Sequence, residues 1–120
     1  MTAASTPSND PLHQTISAIH DSPTRVALAI TGGGSGALTS LLAVPGASRT
    51  VLEGQVPYAA SALTDYLGNQ PDRFCDDTTA LAMGVAAFQR ATILAGDETS
   101  RDTLLGLGAT ASLTTERPKR

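Results

Sequence analysis

The sequence predicts an α/β domain, a three-layer α/β/α sandwich with a mostly central apolar sheet. Residues 26–30 are apolar without a break, which is typical of a strand covered by helices on both faces. Helical and strand patterns alternate along the rest of the chain, which indicates a sheet between helical layers. Because the chain has two Tyr, two Phe and no Trp, aliphatic side chains must build most of the core.

Seven elements are predicted, in the order α-β-α-β-α-α-β. The helices are predicted at residues 10–20, 37–43, 57–67 and 78–95, and the strands at residues 25–31, 48–56 and 103–113. Residues 1–9 are polar and are predicted to form a disordered tail. The folded domain is therefore predicted to span residues 10–120.

Capping residues mark several of these element ends. Asp10 before Pro11 starts the first helix, because Asp can accept from first-turn N–H groups and Pro has a helical φ. Asp76 or Asp77 is expected to cap the longest helix in the same way. Gly68 is expected to end the helix before it, where a left-handed residue is needed.

Two further patterns predict how the elements pack. Glu53-Gly54 interrupts the apolar pattern of the second strand, which indicates a bulge or an edge position. Apolar spacing predicts that the longest helix buries Leu81, Val85, Phe88 and Ile93.

Composition excludes several classes of function. The net charge is −3 and no basic cluster precedes residue 117, so no nucleic-acid partner is expected. Cys75 is the only cysteine, which excludes an intrachain disulfide and a thiolate metal site. His13 and His20 are seven residues apart and are predicted to be solvated, so neither a metal nor a cofactor is expected. No segment has the length of a membrane span and residues 1–9 lack a signal-peptide core, which predicts a cytoplasmic protein without membrane contact.

The most informative segment is the loop Thr31-Gly32-Gly33-Gly34-Ser35-Gly36, between the apolar strand and a helical pattern. Glycines allow a ligand to approach the backbone closely, and the N-terminus of the helix favours phosphate or carboxylate. We therefore predict that Gly33 and its neighbours bind a nucleotide-like ligand, with a merely glycine-rich turn as the alternative. A Cβ at Gly34 is expected to block this approach or a positive φ. The dinucleotide fingerprint fits poorly because the following helix is short, and the P-loop fails because no Lys-Ser/Thr follows.

Thr31 and Ser35 are the candidate nucleophiles, because they are the hydroxyls in this loop. A hydroxyl nucleophile needs a base within hydrogen-bond reach, and the local sequence supplies none. Asp76 and Asp77 could act as an acid/base pair, but helix capping accounts for both of them. Cys75 has no Lys or His neighbour in sequence and is predicted to be unreactive.

Five segments, taken in order, resemble the C-terminal domain of the competence/damage-inducible protein CinA, a family that includes the nicotinamide mononucleotide deamidases. They are Thr31-Gly32-Gly33, Leu41-Leu-Ala-Val-Pro-Gly-Ala-Ser-Arg49, Glu53-Gly-Gln-Val-Pro-Tyr58 with Leu67-Gly68, Asp77-Thr-Thr-Ala-Leu-Ala-Met83, and Gly108-Ala-Thr-Ala-Ser112 with Glu116-Arg-Pro118. The resemblance implies a three-layer α/β/α fold and metal-independent amide hydrolysis of nicotinamide mononucleotide. Since family members continue for at least one more strand, it also implies either that the domain is incomplete at its C-terminus or that the fold closes differently here.

The chain departs from the family at both positions to which the chemistry is attributed. The family's serine, aligned on Thr31-Gly32-Gly33, falls on Ala29; aligned on Val44-Pro45-Gly46, it falls near Gly32 or Gly33. The family's lysine, counted from Tyr58, falls on Leu63. The motifs Thr31-Gly-Gly-Gly-Ser-Gly36 and Val56-Pro57-Tyr58 resemble those of a divergent branch of the family, whose members can be joined to a nucleotidyltransferase domain.

The leading hypothesis is a CinA-C-like domain that binds a nucleotide-like small molecule with degenerate catalytic residues. In it, the phosphate binds at Gly32, Gly33, Gly34, Ser35 and Gly36. Thr31 and Thr110 line the site, and Tyr58 contacts the ring or ribose. The alternatives are an active nicotinamide mononucleotide deamidase that uses Ser35 or Thr31, and a purely structural or oligomerisation domain. Two further partners are consistent with this hypothesis. One is a second copy of the chain, and the other is a nucleotidyltransferase domain, either fused or separate.

Overall fold

A computed structural model of the protein describes residues 10–97 and 99–111, and its elements follow the predicted order. They are α1 (Pro11–Asp21), β1 (Arg25–Gly32), α2 (Ser35–Ala43), β2 (Val51–Gln55), α3 (Ala60–Leu67), α4 (Asp77–Ala95) and β3 (Leu104–Ala111). Short 3₁₀ turns at Ala47–Arg49 and Arg101–Thr103 precede β2 and β3. The predicted tail, residues 1–9, and the predicted end of the last strand, residues 112–113, lie outside the described residues. No described helix is long and apolar enough to span a bilayer.

The sheet has three parallel strands in the order β2-β1-β3, so the apolar strand is central, as predicted. The edge position indicated by Glu53-Gly54 is confirmed, and the pairing of β2 with β1 shifts register where Leu52 is the extra residue. The predicted start of this strand at residue 48 was wrong. Gly46 has a φ of +99°, and the 3₁₀ turn that follows delays the strand to Val51.

Helices cover both faces of the sheet. On one face, Val26, Leu28 and Ile30 pack against Leu38 and Leu41 of α2. The other face buries the alternate residues of β1 against α3 and α4, through Ala27, Ala29, Leu63, Met83, Ala87 and Ala91. The connection from β1 to β2 moves toward one edge of the sheet, and the connection from β2 to β3 moves back toward the other edge. Because the helices of these two connections lie on opposite faces of the sheet, the two crossovers have the same handedness. The predicted three-layer α/β/α architecture is confirmed.

The predicted buried stripe of α4 was wrong at three of its four residues, and the fourth, Phe88, is half-buried. Leu81 and Ile93 are both 70% exposed and Val85 is 52% exposed, whereas the buried positions hold smaller or more flexible side chains: Thr79, Met83, Ala87 and Ala91. The cause is how closely α4 approaches β3. A Cβ on Gly106 would lie 2.3 Å from the Gly84 carbonyl oxygen, so there is little room between helix and strand. Leu81, Val85 and Ile93 face outward, while the unbranched Met83 is accommodated with Thr79, Ala87 and Ala91.

The prediction for His20 was also wrong, because its side chain is only 1% exposed. It lies one helical turn after the buried Ile16, on the face of α1 that is turned toward the protein. The ring Nδ1 is 2.7 Å from Thr50 Oγ1, and Nε2 is 2.9 Å from the Leu41 carbonyl oxygen. Since a carbonyl only accepts, Nε2 donates to it, and in the neutral form of the ring Nδ1 then accepts from the Thr50 hydroxyl. His20 therefore holds α1 to α2 and to the turn before β2.

An ion pair joins the outer strand β2 to α4. Arg90 Nε and Nη2 donate to the two carboxylate oxygens of Glu53 at 3.0 and 2.7 Å, a bidentate geometry. Gln55 also donates to Glu53, at 2.9 Å. The hydrogen bond from Arg90 is the main reason that the pKa of Glu53 lies below its ordinary value, and burial opposes part of that shift.

Glu53→Gln is expected to reduce the loss of stability in acid. A carboxyl whose pKa is lower in the folded state stabilises the fold above its unfolded pKa, 4.5 for this Glu, and loses that contribution as the pH falls through the folded value. The wild-type protein should therefore be the more stable of the two at pH 7, and the curves should converge below pH 4.5. Urea unfolding across this pH range measures the difference, and parallel curves would contradict the assignment.

Candidate functional site

The candidate site lies at the carboxyl edge of the sheet. The strands are parallel, so Gly32, Gln55 and Ala111 end them on the same side. From the end of β1 the chain passes through α2 toward β2, while β3 lies on the opposite side of β1. In open α/β sheets, ligand crevices open at such a switch point, outside the carboxyl ends of the strands. The glycine loop leaves β1 at this point.

Two predicted site residues meet at this edge. Thr31 and Thr110 are register partners on β1 and β3, and Thr31 Oγ1 donates to Thr110 Oγ1 at 2.8 Å. Thr110 Oγ1 donates onward to the Phe74 carbonyl oxygen, also at 2.8 Å. The chain of hydrogen bonds attaches the segment before α4 to the end of the sheet. It also directs the Thr31 proton to another hydroxyl, which cannot serve as a general base.

Gly32 is the glycine of the loop whose backbone requires glycine. Its φ is +71°, and a Cβ added there would lie 2.0 Å from the Ala111 carbonyl oxygen of the neighbouring strand. The strand continues to this residue, one beyond the predicted end. The expectation of a positive φ at Gly34 was wrong, because its φ is −87°. Gly36 has open space around the Cβ position.

The N-terminus of α2 lies in the glycine loop and has no side-chain cap. The helix begins at Ser35, two residues earlier than predicted, with Gly34 as the N-cap residue. Gly34 has no side chain to cap the helix, and the first turn contains no acidic residue. The partial positive charge of the helix end is therefore not offset locally, and Ser35 and Gly36 are both exposed there.

Tyr58 lies beyond the carboxyl end of β2, and its side chain is 77% exposed. The predicted start of the following helix at residue 57 was wrong, because α3 begins at Ala60. Pro57 is buried and holds the segment against the protein, while Tyr58 projects outward. Its ring is thus available to a ligand at this edge of the sheet, and no hydrogen bond fixes it to Thr31 or Thr110.

Sequence reasoning missed the segment between α3 and α4, which lines an open pocket of about 300 Å³. The polar residues lining it are Asn69, Gln70, Asp72, Arg73, Asp76, Thr78 and Thr79. The mixed charges around Pro71 are the signal that could have indicated it. Arg73 carries a positive charge in this segment. The carbonyl group of its neighbour Phe74 accepts the hydrogen bond from Thr110.

Asp76 holds this segment in place by capping α4, as predicted. Its carboxylate accepts from the Thr79 N–H at 2.8 Å, and this is the main reason that the pKa of Asp76 is lowered. The Thr79 hydroxyl donates to the Arg73 carbonyl oxygen. The Asp76 carboxylate therefore has a structural role in the folded chain.

The position matched to the family's lysine, and one of the two alternative positions matched to its serine, lie in the core. Ala29 is fully buried and Leu63 is 2% exposed, and both belong to the cluster between the sheet and α3–α4. Neither side chain can carry a proton. The described residues also contain no group of three or more His, Cys, Asp or Glu side chains placed to hold a metal.

Comparison with known proteins shows the fold of this chain. No family model and no curated protein matches it. Among solved structures it is similar to the competence/damage inducible protein CihA from Agrobacterium tumefaciens, with a TM-score of 0.57 and 24% sequence identity over 73% of this chain. The match spans 58% of the length of that protein. The chain therefore has a CinA-like fold.

Proposed function

We propose that this CinA-C-like domain binds a nucleotide-like ligand through its phosphate and does not hydrolyse it. The observation that carries the proposal is the uncapped N-terminus of α2, which follows the Gly32 turn at the switch point of the sheet. Exposed Ser35 and Gly36 are suited to a phosphate there. The sugar and ring would lie along the carboxyl edge, between Tyr58 and the Thr110 side of the sheet.

The proposed absence of hydrolysis follows from the residues at the positions matched to the family's catalytic serine and lysine. Amide hydrolysis at neutral pH needs an activated nucleophile and a group that protonates the leaving amine. The position matched to the family's lysine holds the buried Leu63, and the position matched to its serine holds the buried Ala29 or, in the other alignment, Gly32 or Gly33. Ser35 is exposed, and the Thr31 hydroxyl donates its hydrogen bond to the Thr110 hydroxyl. An active deamidase that uses Ser35 or Thr31 is therefore the less favoured function.

Ser35→Asp is expected to weaken binding of nicotinamide mononucleotide at least about tenfold while stabilising the fold. A carboxylate at the first position of α2 complements the helix dipole by roughly 0.3–1 kcal/mol. The same carboxylate repels a phosphate bound at that end by about 1 kcal/mol or more per charge pair. Titration calorimetry and thermal unfolding should therefore change in opposite directions, which simple damage to the fold cannot produce.

Ser35→Asn is the matched control, since it has similar size and no charge, and it should bind within a few-fold of the wild type. Nicotinamide riboside, which lacks the phosphate, should bind much more weakly than the mononucleotide. If the wild type binds neither compound, the structural or oligomerisation alternative is favoured. If Ser35→Asp binds as well as the wild type, the phosphate does not lie at α2.

A further inference from the structure

A polar cluster beside β2 has no part in the proposed nucleotide site. Glu53 and Gln55 pair in register with Ala27 and Ala29, which belong to the core between the sheet and helices α3 and α4. On this face Glu53 accepts hydrogen bonds from Gln55 and from Arg90 of α4. The helix α2 packs on the opposite face of the sheet, so the cluster and the proposed phosphate site lie on different sides of it.

Two open pockets adjoin this cluster, between the end of β2 and helices α3 and α4. Their volumes are about 350 and 480 Å³, which is within the range of about 300–1,000 Å³ that is typical of small-molecule sites. Gln55, Asp65 and Tyr66 line both pockets, and Arg90 lines the larger one. These four residues define the β2 recess, which the two pockets form together.

The Tyr66 hydroxyl is the unexplained group of the β2 recess. Its oxygen is buried and has no hydrogen-bond partner within residues 10–97 and 99–111. Burial is the main reason that the pKa of Tyr66 is raised, and the negative charge of Glu53 adds to the shift. The hydroxyl therefore keeps its proton at neutral pH. A buried hydroxyl without a partner lowers stability, and proteins retain such groups where function needs them.

The charges around the β2 recess favour a neutral ligand. Arg90 and Glu53 offset each other as a bidentate pair at 2.7 and 3.0 Å. An anion would meet the carboxylates of Glu53 and Asp65, and a cation would meet the guanidinium of Arg90. Asp65 is exposed, and an exposed carboxylate attracts a cation only weakly.

The polar groups that remain in the β2 recess include both donors and acceptors. Glu53 occupies the Nε and Nη2 atoms of Arg90 and the amide nitrogen of Gln55. The Tyr66 O–H and the other Arg90 N–H groups are then left to donate, and the Gln55 amide oxygen and the Asp65 carboxylate are left to accept. A ligand hydroxyl both donates and accepts, so a molecule with several hydroxyls satisfies both kinds of group.

We propose that the β2 recess binds a neutral sugar, with the Tyr66 hydroxyl donating to one of the sugar oxygens. This site is independent of the proposed nucleotide site. The expected contribution of a single neutral hydrogen bond is modest, so Tyr66→Phe should weaken sugar binding roughly three- to tenfold. Asp65→Ala, which removes an acceptor at the exposed side of the recess, should weaken it to a similar degree.

Tyrosine fluorescence reports on this site selectively, because the chain has no Trp and its two tyrosines are Tyr58 and Tyr66. Titration with D-glucose, D-galactose and D-xylose should change the emission of Tyr58→Phe, in which Tyr66 is the sole fluorophore, and at least one of them should do so saturably. The same sugars should leave the emission of Tyr66→Phe unchanged. Inorganic phosphate and methylammonium are the charged comparison probes, and NMR titration of the labelled proteins gives the affinity of each variant.

Unfolding in urea distinguishes a sugar from a partner that the hydroxyl already has in the free protein. Tyr66→Phe should be at least as stable as the wild type, because it removes a buried group that lacks a partner. Lower stability of Tyr66→Phe would indicate a bound water or another part of the chain at the hydroxyl, and would overturn the proposal. It would also be overturned if none of the three sugars gave a saturable change, or if phosphate or methylammonium did so in their place. None of these results bears on the phosphate site, which the Ser35→Asp titration tests separately.

Discussion

Gly32→Val is expected to leave little folded protein, the largest effect on stability of any substitution considered. A Cβ there would overlap the Ala111 carbonyl oxygen at 2.0 Å, and a φ of +71° is strained for a β-branched residue. Relieving the overlap requires separating the ends of β1 and β3, which also breaks the bond between Thr31 and Thr110. The cost, several kcal/mol, is comparable with the roughly 5–15 kcal/mol that stabilise a typical domain.

The control for this substitution is Gly36→Ala, four residues further along the same loop and helix. Gly36 lies inside α2 with open space at its Cβ position. Alanine there should raise the free energy of unfolding by about 0.5–1 kcal/mol, because it favours helix more than glycine. Urea unfolding of both variants shows whether glycine is required at position 32 in particular or at every glycine of this loop. A Gly32→Val protein as stable as the wild type would show that the turn has another conformation.

The fold was predictable because its strongest signals are local. The unbroken apolar run of β1 indicates a strand buried on both faces, and Asp10, Gly68 and Asp76 act at helix ends as predicted. Element boundaries were less accurate near turns. The 3₁₀ turn after Gly46 and the extended Pro57 segment shorten β2 and α3 relative to their sequence patterns.

The packing of α4 could not be predicted because it depends on a residue in another element. The apolar pattern predicted that Leu81 and Val85 are buried, but Gly106 lets α4 lie so close to β3 that these branched side chains face outward and Met83, Ala87 and Ala91 are buried instead. His20 illustrates the same limit. Its partners, Thr50 and the Leu41 carbonyl group, are distant in sequence, and only the tertiary fold brings them to the imidazole.

The candidate site was predictable in part for a related reason. The glycine loop is a local signal, so its place between a central strand and a helix follows from the sequence. The pairing of Thr31 with Thr110 depends on the register of β1 and β3, and the hydrogen bond to Phe74 depends on the path before α4. Neither has a local pattern that specifies it.

Ammonia release from nicotinamide mononucleotide by this chain is expected not to exceed the rate without protein. A missing general base alone removes about a hundred- to ten-thousand-fold of rate, and a missing nucleophile removes the covalent route. The serine position holds Ala29, or Gly32 or Gly33 in the other alignment, and the lysine position holds Leu63, so no rotamer or pH can restore a nucleophile or a base there. Lys119, the only lysine of the chain, lies outside the described residues.

The assay should be run with Ser35→Ala and Thr31→Val beside the wild type. Ser35→Ala removes the exposed hydroxyl at the start of α2, and Thr31→Val removes the hydroxyl that donates to Thr110 while keeping the side-chain shape. Turnover of roughly one per second or more would be that of an ordinary enzyme and would contradict the loss of chemistry. The variant that abolished such turnover would then identify the nucleophile, and loss of turnover in Lys119→Ala would identify the base. Binding by calorimetry without ammonia release is the expected result, since the positions matched to the family's serine and lysine have neither a nucleophile nor a base.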